Sequence, residues 1–210
     1  MAEFRTTGIV LKRQDFGDAD RILKIFTQDF GLVSALAKGC KKTKSRRGGA
    51  FELFSESNFR LHRKTGELFL VTDAHKINSF EGVDLNILKF EYSAAEWLLT
   101  LAPLEKPLPL TYAFTREFLT HIKNGKKLEL LGLAFQIKLL EKLGFLQDLG
   151  NFSYKEARFF KFVLDNNFEN ILRLENNAEV FESSKKDLSD IFGQATERIS
   201  KVEVSTQGWE

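Results

Sequence analysis

Hydrophobic and polar residues alternate along much of the first 80 positions of the chain. Residues 6–12 alternate with period two and are rich in β-branched side chains, which favours a strand. Residues 21–28 suit a strand or a short helix, and residues 32–36 form another candidate strand. The segment 51–78 has period-two character on both sides of Thr65-Gly66, a tight-turn signal, and predicts a long hairpin. Five short strands packed this closely predict a small barrel rather than an open sheet.

The pattern changes to helical spacing after residue 80. Apolar residues between Leu85 and Leu99 recur every three or four positions, as on the buried face of an amphipathic helix. All three prolines of the chain fall between Pro103 and Pro109 and end that helix. The predicted helices span about residues 84–101, 110–123, 128–143 and 186–201, and residues 155–164 suit either a helix or a strand. We therefore expect an α+β protein with a β-barrel domain over residues 1–80 and a mainly helical domain over residues 81–210.

Composition adds an uneven distribution of charge to this division. Hydrophobic residues make up 43% of the chain and charged residues 29%, which is ordinary for a globular protein with a real core. The formal net charge of +2 conceals two different halves. Residues 1–80 carry 15 Lys and Arg against 9 Asp and Glu, whereas residues 81–210 carry 16 against 20. The first part is therefore the one that can attract a polyanion.

Positive charge is most concentrated in the loop from Lys38 to Arg47, where six of ten residues are basic. No Asp or Glu occurs between Asp29 and Glu52, so these cations face water, a distant carboxylate or a polyanion. Basic side chains that pair with successive phosphates release condensed counterions. We interpret the loop as a nucleic-acid contact, with a solvated flexible loop as the alternative. The predicted contacts are Lys38, Lys41, Lys42, Lys44, Arg46 and Arg47.

Basic residues of the predicted strands can extend this contact, although they cannot all lie on one face. Arg60 and Lys64 share a face of a regular strand, and Arg63 points to the other. Among the strand cations we select Arg21 and Arg60 as contacts.

Aromatic residues offer a second means of contact, because bases stack on aromatic rings. Phe16, in a polar turn beside Gly17, is the best exposed candidate. Other phenylalanines of this part alternate like the interior of a barrel, namely Phe26, Phe51, Phe59 and Phe69.

Residues that would support catalysis or a bound metal are sparse. Cys40 is the only cysteine, which excludes a disulfide framework within the chain, and its cationic surroundings predict a lowered thiol pKa. Asp18 and Asp20 suggest a metal site less readily than a turn, and the three histidines are dispersed. No phosphate-binding loop or dinucleotide fingerprint occurs. We expect no enzymatic activity, no metal and no cofactor.

Neither a signal peptide nor an apolar run long enough to cross a bilayer is visible in the sequence. We therefore expect a cytoplasmic protein that makes no membrane contact.

The N-terminal residues, taken in order, resemble the bacterial RecO family of recombination mediators. The motifs are Thr7-Gly8-Ile9-Val10-Leu11, Asp18-x-Asp20-Arg21-Ile22-Leu23, Phe26-Thr27, Gly31, Ala37-Lys38-Gly39, Ser45 and Gly48 to Phe54. Residues 135–145 also resemble a segment of the family's helical domain, which usually has Arg where Lys138 stands. The resemblance is good over residues 5–80, moderate over about 130–149 and poor elsewhere.

That resemblance implies an N-terminal OB-fold barrel and a C-terminal helical domain. It implies a protein of DNA repair and homologous recombination that binds single- and double-stranded DNA, anneals complementary strands and associates with the nucleoid. It also implies partners: the C-terminal tail of the single-stranded-DNA-binding protein SSB, RecR and, indirectly, RecA recombinase, which the family helps to load. Lys138, beside an apolar stripe, is the residue we select for contact with the acidic SSB tail.

The sequence departs from the family in two places. Many members carry a cysteine zinc cluster after the Leu-Gly-Phe segment, whereas residues 149–153 contain no cysteine, so zinc is predicted to be absent. Residues 202–210 do not resemble the family's usual final helix. Two other functions fit the same charges: an RNA-binding OB-fold module and, less readily because the carboxylates are dispersed, a metal-dependent nuclease.

Overall fold

Strands come first in the chain and helices follow, in a computed structural model that describes residues 2–41, 48–63, 68–146, 148–175 and 177–207. The strands are β1 (Ala2–Phe16), β2 (Asp20–Thr27), β3 (Gly31–Ala37), β4 (Ser55–Arg63) and β5 (Phe69–Ser79). The helices are α1 (Leu85–Leu101), α2 (Pro109–Ile122), α3 (Leu128–Lys142), α4 (Tyr154–Asp165), α5 (Phe168–Ile171) and α6 (Ala178–Gln207). Short 3-10 helices occupy Gly48–Phe51 and Leu149–Asn151.

The five strands form a closed barrel in the order β1-β2-β3-β5-β4, with β4 pairing back onto β1. Neighbouring strands are antiparallel except β3 and β5, which are parallel. The expected fold class, an OB-fold barrel followed by helices, is confirmed. The long hairpin predicted over residues 51–78 is shorter than expected, because a 3-10 helix and a turn occupy residues 51–54 before β4 begins.

Helix boundaries have local causes. The carboxylate of Asp84 accepts a hydrogen bond from the Asn86 amide and caps α1. Pro109 occupies the first turn of α2, where the missing amide hydrogen costs nothing, so the last of the three prolines starts a helix. A reciprocal capping box between Ser153 and Glu156 fixes the start of α4 and gives the ambiguous segment 155–164 its helical form.

β1 closes the barrel because its two halves pair with different strands. Residues 2–9 pair with β4 and residues 8–16 with β2, so Gly8 belongs to both ladders. A bulge between Val10 and Lys12 lets the long strand bend. A Cβ atom at Gly8 would lie 2.6 Å from Cγ2 of the buried Ile25, which is closer than two carbon atoms can pack. The absence of a side chain at Gly8 therefore permits the strand to change partners.

Replacing Gly8 by Ala is expected to lower the free energy of unfolding by about 1–3 kcal/mol, the range seen when a packed core must accept an extra methyl group. Urea denaturation of the two proteins measures the difference. Gly193→Ala, at an exposed position of α6 where a new Cβ meets nothing within 4 Å, is the matched control and should be neutral or stabilising. Equal stability of Gly8→Ala and wild type would contradict this account of the strand crossing.

Hydrophobic residues cover the barrel on both its inner and its outer side. Val33, Leu61 and Phe69 belong to the cluster inside the barrel. Residues on the outer side, such as Ile9 and Phe26, join instead the cluster formed by the helices. The outer side of the barrel is therefore the surface against which the helices pack.

A buried carboxylate adds a polar connection between the barrel and the helices. Oε1 of Glu56, on β4, accepts hydrogen bonds from the hydroxyl of Tyr112 at 3.0 Å and from Nε of Arg116 at 2.7 Å, both on α2. Burial and the carboxylate together raise the pKa of the Tyr112 hydroxyl, so it remains a donor at all physiological pH values. Buried charge pairs cost heavily when one partner is lost. These contacts fix α2 against the barrel. The predicted division into two domains at residue 80 stays a prediction.

A second buried carboxylate lies where the chain passes from β5 into α1. Glu91 is fully buried, and its Oε2 accepts a hydrogen bond from the Gly82 amide at 3.2 Å. Burial, reinforced by the nearby Glu81, raises its pKa to about 7, while the Gly82 amide and Lys123 oppose the rise. Because the folded pKa exceeds the usual value of 4.5, the folded state binds this proton more tightly than the unfolded state does.

The contribution of Glu91 to stability is therefore expected to fall as the pH rises from about 4.5 through 7. Glu91→Gln keeps the shape of the protonated carboxyl and should remove this dependence. At pH 8.5 we expect the variant to exceed wild type by up to about 3 kcal/mol, and at pH 5 the two should differ little. Urea midpoints at pH 5, 7 and 8.5 test this, and parallel pH profiles of the two proteins would contradict it.

Candidate nucleic-acid interface

The end of the barrel where β1 passes into β2 carries a cluster of charges. Arg21 pairs with Asp15 in the β1–β2 ladder, and Arg13 pairs with the buried Leu23. Residues two apart in a strand share a face, so Arg21 lies on the same face as Leu23, whose side chain belongs to the cluster inside the barrel. The charged side chains thus lie at the open end of the barrel, which we call the mouth.

Three cations and two carboxylates pair with one another at the mouth. Nε of Arg21 lies 3.2 Å from Oδ1 of Asp15, and its Nη1 lies 3.5 Å from Oε1 of Glu52. Nζ of Lys41 lies 3.0 Å from Oδ2 of Asp15, and Arg13 donates to Glu52. Hydrogen bonds from Lys41 and then Arg21 lower the pKa of Asp15. The five side chains keep part of their surface in solvent, with Arg21 the least exposed at 21%.

Backbone contacts hold the start of the basic loop against the β1–β2 turn. The amide of Lys41 donates to the carbonyl of Ala19 at 3.0 Å, and the amide of Gly39 donates to Oδ1 of Asp20 at 2.8 Å. Asp20 therefore serves the turn, as its sequence position suggested. Among the described residues, no group of three or more His, Cys, Asp or Glu is placed to hold a metal ion.

The predicted loop contacts fall into two groups. Lys38 is exposed beside the mouth, and Lys41 is paired with Asp15. The others, Lys42, Lys44, Arg46 and Arg47, lie outside the described residues. The chain resumes at Gly48, and Ala50 and Phe51 pack into the barrel interior immediately before Glu52. Both ends of the loop are therefore attached at the mouth.

Arg60 lies in another part of the barrel. It is opposite Arg5 in the β1–β4 ladder, and Nε of Arg60 lies 3.3 Å from Oε1 of Glu3. Arg60 pairs with Arg5 on β1, and Arg21 pairs with Asp15 on the same strand. Arg5 and Asp15 are ten residues apart, which corresponds to at most about 33 Å along an extended strand. The structure therefore does not bring Arg60 and Arg21 together.

The surface around Arg60 forms a separate polar groove of about 440 Å³. Asp73 lies opposite Arg60 on β5, and its Oδ2 is 3.1 Å from Nε2 of His75. Asp29, also in the lining, accepts a hydrogen bond from the Thr6 hydroxyl at 2.7 Å. Carboxylates accompany the cations here, so this groove is a weaker site for a polyanion than the basic loop.

The structure agrees with most of the aromatic predictions, on exposure and burial. Phe16, the last residue of β1, has 53% of its surface exposed near the mouth, where it can stack on a base. The four phenylalanines assigned to the interior are all buried, with exposures of 4% or less, and Phe51, Phe59 and Phe69 belong to the cluster inside the barrel. The assignment of Phe26 was wrong, because its side chain lies on the outer side of the barrel and packs with the helices.

The expectation for Cys40 was wrong. Its thiol belongs to the cluster inside the barrel, and burial raises its pKa although Arg21 acts in the opposite direction. Desolvation penalises the thiolate more than the nearby cation favours it. Cys40 is therefore a core residue beneath the mouth.

Lys138, on α3, has local partners. Its Nζ donates to the Asn166 carbonyl at 2.7 Å and lies 5.9 Å from the centre of the Phe168 ring, and burial lowers its pKa. A groove of about 580 Å³ beside it is also lined by Glu117, Glu141 and Asp165. Its role in binding a partner stays a prediction.

Sequence reasoning missed the carboxylates at the mouth. It allowed a distant carboxylate as a partner of the loop cations but identified none, and it treated Arg21 and Lys41 as available cations. Asp15, six residues before Arg21 and on the other side of a turn, was a possible signal for a hairpin pair. The contribution of Glu52 depends on how the chain returns to the barrel after the loop.

Comparison with known proteins finds a family model and several relatives that carry the RecO name. Residues 1–80 match the family model for the N terminus of recombination protein O. A DNA repair protein RecO from Dehalococcoides mccartyi is 32% identical over 149 residues, which are 70% of this chain and 58% of that protein. One from Rubrobacter xylanophilus is 47% identical over 83 residues, covering 40% of this chain and 33% of that protein. One from Listeria monocytogenes is 29% identical over 139 residues, covering 65% and 54%.

These matches confirm the family resemblance seen in the sequence, and the chain spans little more than half the length of the Dehalococcoides and Listeria relatives. Within the described part of the chain, no helix is both long and apolar enough to cross a membrane.

Proposed function

Because residues 1–80 belong to the RecO N-terminal family, we propose that this protein is a mediator of DNA repair and homologous recombination that works at the nucleoid by binding DNA. The observation that carries the proposal is the basic loop attached at both ends to the mouth of an OB-fold barrel that matches this family. OB-folds commonly bind single-stranded nucleic acid along a positively charged groove.

Phosphate contacts supply the binding energy in this proposal. Lys38, Arg21 and the cations of the loop pair with successive phosphates, and the release of counterions favours the complex. Phe16 adds stacking on a base, a contribution of about 1–3 kcal/mol where it occurs. The site binds single- and double-stranded DNA and performs no covalent chemistry.

Annealing follows from the same charges. Two DNA strands repel each other, and a cationic surface that neutralises phosphates on both lowers that repulsion. Complementary strands held on one protein then pair through their bases.

The carboxylates at the mouth compete with DNA for the cations. Asp15 holds Arg21 and Lys41, and Glu52 holds Arg13 and Arg21. A phosphate that replaces a carboxylate exchanges one ion pair for another. The gain in binding energy at the mouth is therefore smaller than the number of basic residues suggests.

Protein partners complete the proposed function, by analogy with the family. The helical part would contact the acidic C-terminal tail of SSB, with Lys138 as the predicted residue, and the protein would cooperate with RecR to load RecA onto SSB-coated DNA. We expect Lys138→Glu to weaken the binding of an SSB-tail peptide to this protein, as measured in a peptide-binding assay.

Labelled oligonucleotides test the DNA-binding proposal directly. We expect single-stranded DNA to bind, complementary strands to anneal faster with the protein than without it, and no cleavage to occur with magnesium. Six phosphate contacts by the loop predict a slope of log K against log salt near −4, at about −0.7 per contact. Preference for RNA would favour an RNA-binding module, magnesium-dependent cleavage would favour a nuclease, and a slope near zero would exclude a phosphate site.

Charge reversal locates the site. Changing Lys41, Lys42, Lys44 and Arg46 to Glu should leave the fold intact and change the slope from near −4 to about −1.4, because four of six contacts are lost at about −0.7 per contact. The control reverses four exposed cations of the helical part, Lys89, Lys126, Lys155 and Lys161, with the same change in net charge. An equal loss of DNA binding in both variants would show a nonspecific effect of net charge.

Neutralising the mouth carboxylates should have the opposite effect. In Asp15→Asn/Glu52→Gln the cations keep hydrogen-bond acceptors but lose their charged competitors, so we expect DNA affinity to rise about three- to tenfold at low salt. The slope should steepen by about 1, from up to two additional contacts. Glu169→Gln/Glu179→Gln, at exposed positions of the helical part, is the control. A loss of affinity would show that the carboxylates position the loop more than they compete with DNA.

A further inference from the structure

A pocket of about 250 Å³ lies where α1 packs against β1. Leu11 and Lys12 of β1 line one side, Leu53 lies in the turn before β4, and the other side is formed by α1, with Tyr92 at its rim. The volume is below the range of about 300–1,000 Å³ found for sites of drug-sized ligands. The pocket therefore suits one flat ring better than a longer peptide segment.

The bulge in β1 places two successive side chains on the outer side of the barrel. It lies between Val10, whose side chain belongs to the cluster inside the barrel, and Lys12. The bulged residue, Leu11, joins the cluster formed by the helices instead and is buried. Lys12 pairs with Lys24, which lies on the same face of β2 as Phe26 and so points outward. An apolar floor and an exposed cation thus come from adjacent residues.

Two lysines beside the pocket repel each other. Lys12 and Lys24 lie directly opposite one another in the β1–β2 ladder, a position in which like charges are destabilising. Lys12 is exposed, and no carboxylate of the described residues lies within 4 Å of its amino group. Nζ of Lys24 donates to the Ser34 hydroxyl at 2.7 Å. A phosphate beside both ammonium groups would relieve this repulsion through charge-assisted hydrogen bonds.

Tyr92 provides a fixed aromatic surface at the pocket. Its ring is nearly perpendicular to that of Phe54, with 5.3 Å between the centroids, while 51% of the residue is exposed. Phe54 is buried, its amide donates to the Val10 carbonyl at 2.9 Å, and its carbonyl accepts from the Phe80 amide at 2.8 Å. The tyrosine is thus held by a ring that is itself fixed to the barrel. A preorganised ring loses little conformational entropy when a base stacks on it.

Exposed residues of β1 connect the pocket to the mouth. Lys12, Gln14 and Phe16 alternate along the strand, so they share its outer face. Phe16 and Lys12 are separated by about 13 Å of extended strand. Arg13 and Asp15, which form ion pairs at the mouth, point to the other face. A nucleic-acid strand on the outer face can therefore pass from Phe16 to the pocket without breaking the ion pairs of the mouth.

We propose that this pocket accepts one unstacked base of single-stranded DNA, with the base on the ring of Tyr92 and the adjoining phosphates beside Lys12 and Lys24. Binding there rests on the proposed DNA-binding function and deepens it, because Tyr92 then determines a preference for single strands. In a duplex the bases are paired and stacked with one another, and removing one from the stack costs free energy. Glu96 repels phosphates on the α1 side of the pocket, which leaves the backbone on the side of the lysines.

Fluorescence polarisation on the full chain compares labelled oligothymidine with a duplex of the same length. Tyr92→Ser should weaken single-strand binding about five- to a hundredfold, the range of one lost base stack, and change duplex binding by less than about twofold. Tyr92→Phe keeps the ring and should bind like wild type. Tyr154→Ser, at a tyrosine of α4 that is 76% exposed, is the matched control and should also bind like wild type. Circular dichroism shows whether each variant is folded.

Photochemical cross-linking tests the contact without a substitution. An oligothymidine in which 5-iodouracil replaces thymine should cross-link to Tyr92 of the wild-type protein on irradiation, as identified by mass spectrometry. Unchanged single-strand affinity in Tyr92→Ser, an equal loss for single strand and duplex, or absence of a cross-link at Tyr92 would overturn the proposal.

The same measurements separate this pocket from the proposed function. Wild-type protein that binds neither DNA would contradict the DNA-binding function and the pocket together. DNA binding by wild type with no effect of Tyr92→Ser would contradict the pocket alone. A larger loss for oligouridine than for oligothymidine in Tyr92→Ser would assign the pocket to RNA and overturn its assignment to DNA.

Discussion

Closure of the barrel through β1 is the constraint on which the rest of the structure depends. One half of this strand pairs with β4 and the other with β2, and the change of partner occurs at Gly8 and Ile9. The strand therefore extends between the charged mouth and the surface around Arg60. Closure also turns one set of side chains inward and leaves the other as the platform for the helices. The positions of the mouth and of the surface around Arg60 follow from this strand.

The pairing of charged side chains at the mouth also follows from closure of the barrel. Folding brings Asp15 and Glu52 to the three cations Arg13, Arg21 and Lys41. Exposed ion pairs of this kind add little stability, so their cations can exchange a carboxylate for a phosphate at low cost. In the proposed DNA complex, Lys38 and the loop supply most of the positive charge available to phosphates. The carboxylates of the mouth then limit how tightly the cations at the start of the loop bind DNA.

Buried polar groups connect the barrel to the helices and differ in what they do there. Glu56 is paired with Arg116 and Tyr112 and fixes α2 against β4. Glu91 accepts a backbone hydrogen bond from Gly82 just before α1 begins, and its burial raises its pKa to about 7. We therefore expect the stability of this joint to depend on pH near neutrality.

Local patterns in the sequence determined the order of strands and helices, the buried phenylalanines and the family, because periodicity and motifs depend on neighbours along the chain. They also located the basic loop by its lack of acidic neighbours. Only the tertiary structure decided that Arg21 and Arg60 lie on separate surfaces, that Cys40 is buried and that Lys138 has local partners. Charge pairing and burial depend on contacts between distant segments, and one-dimensional spacing does not encode them.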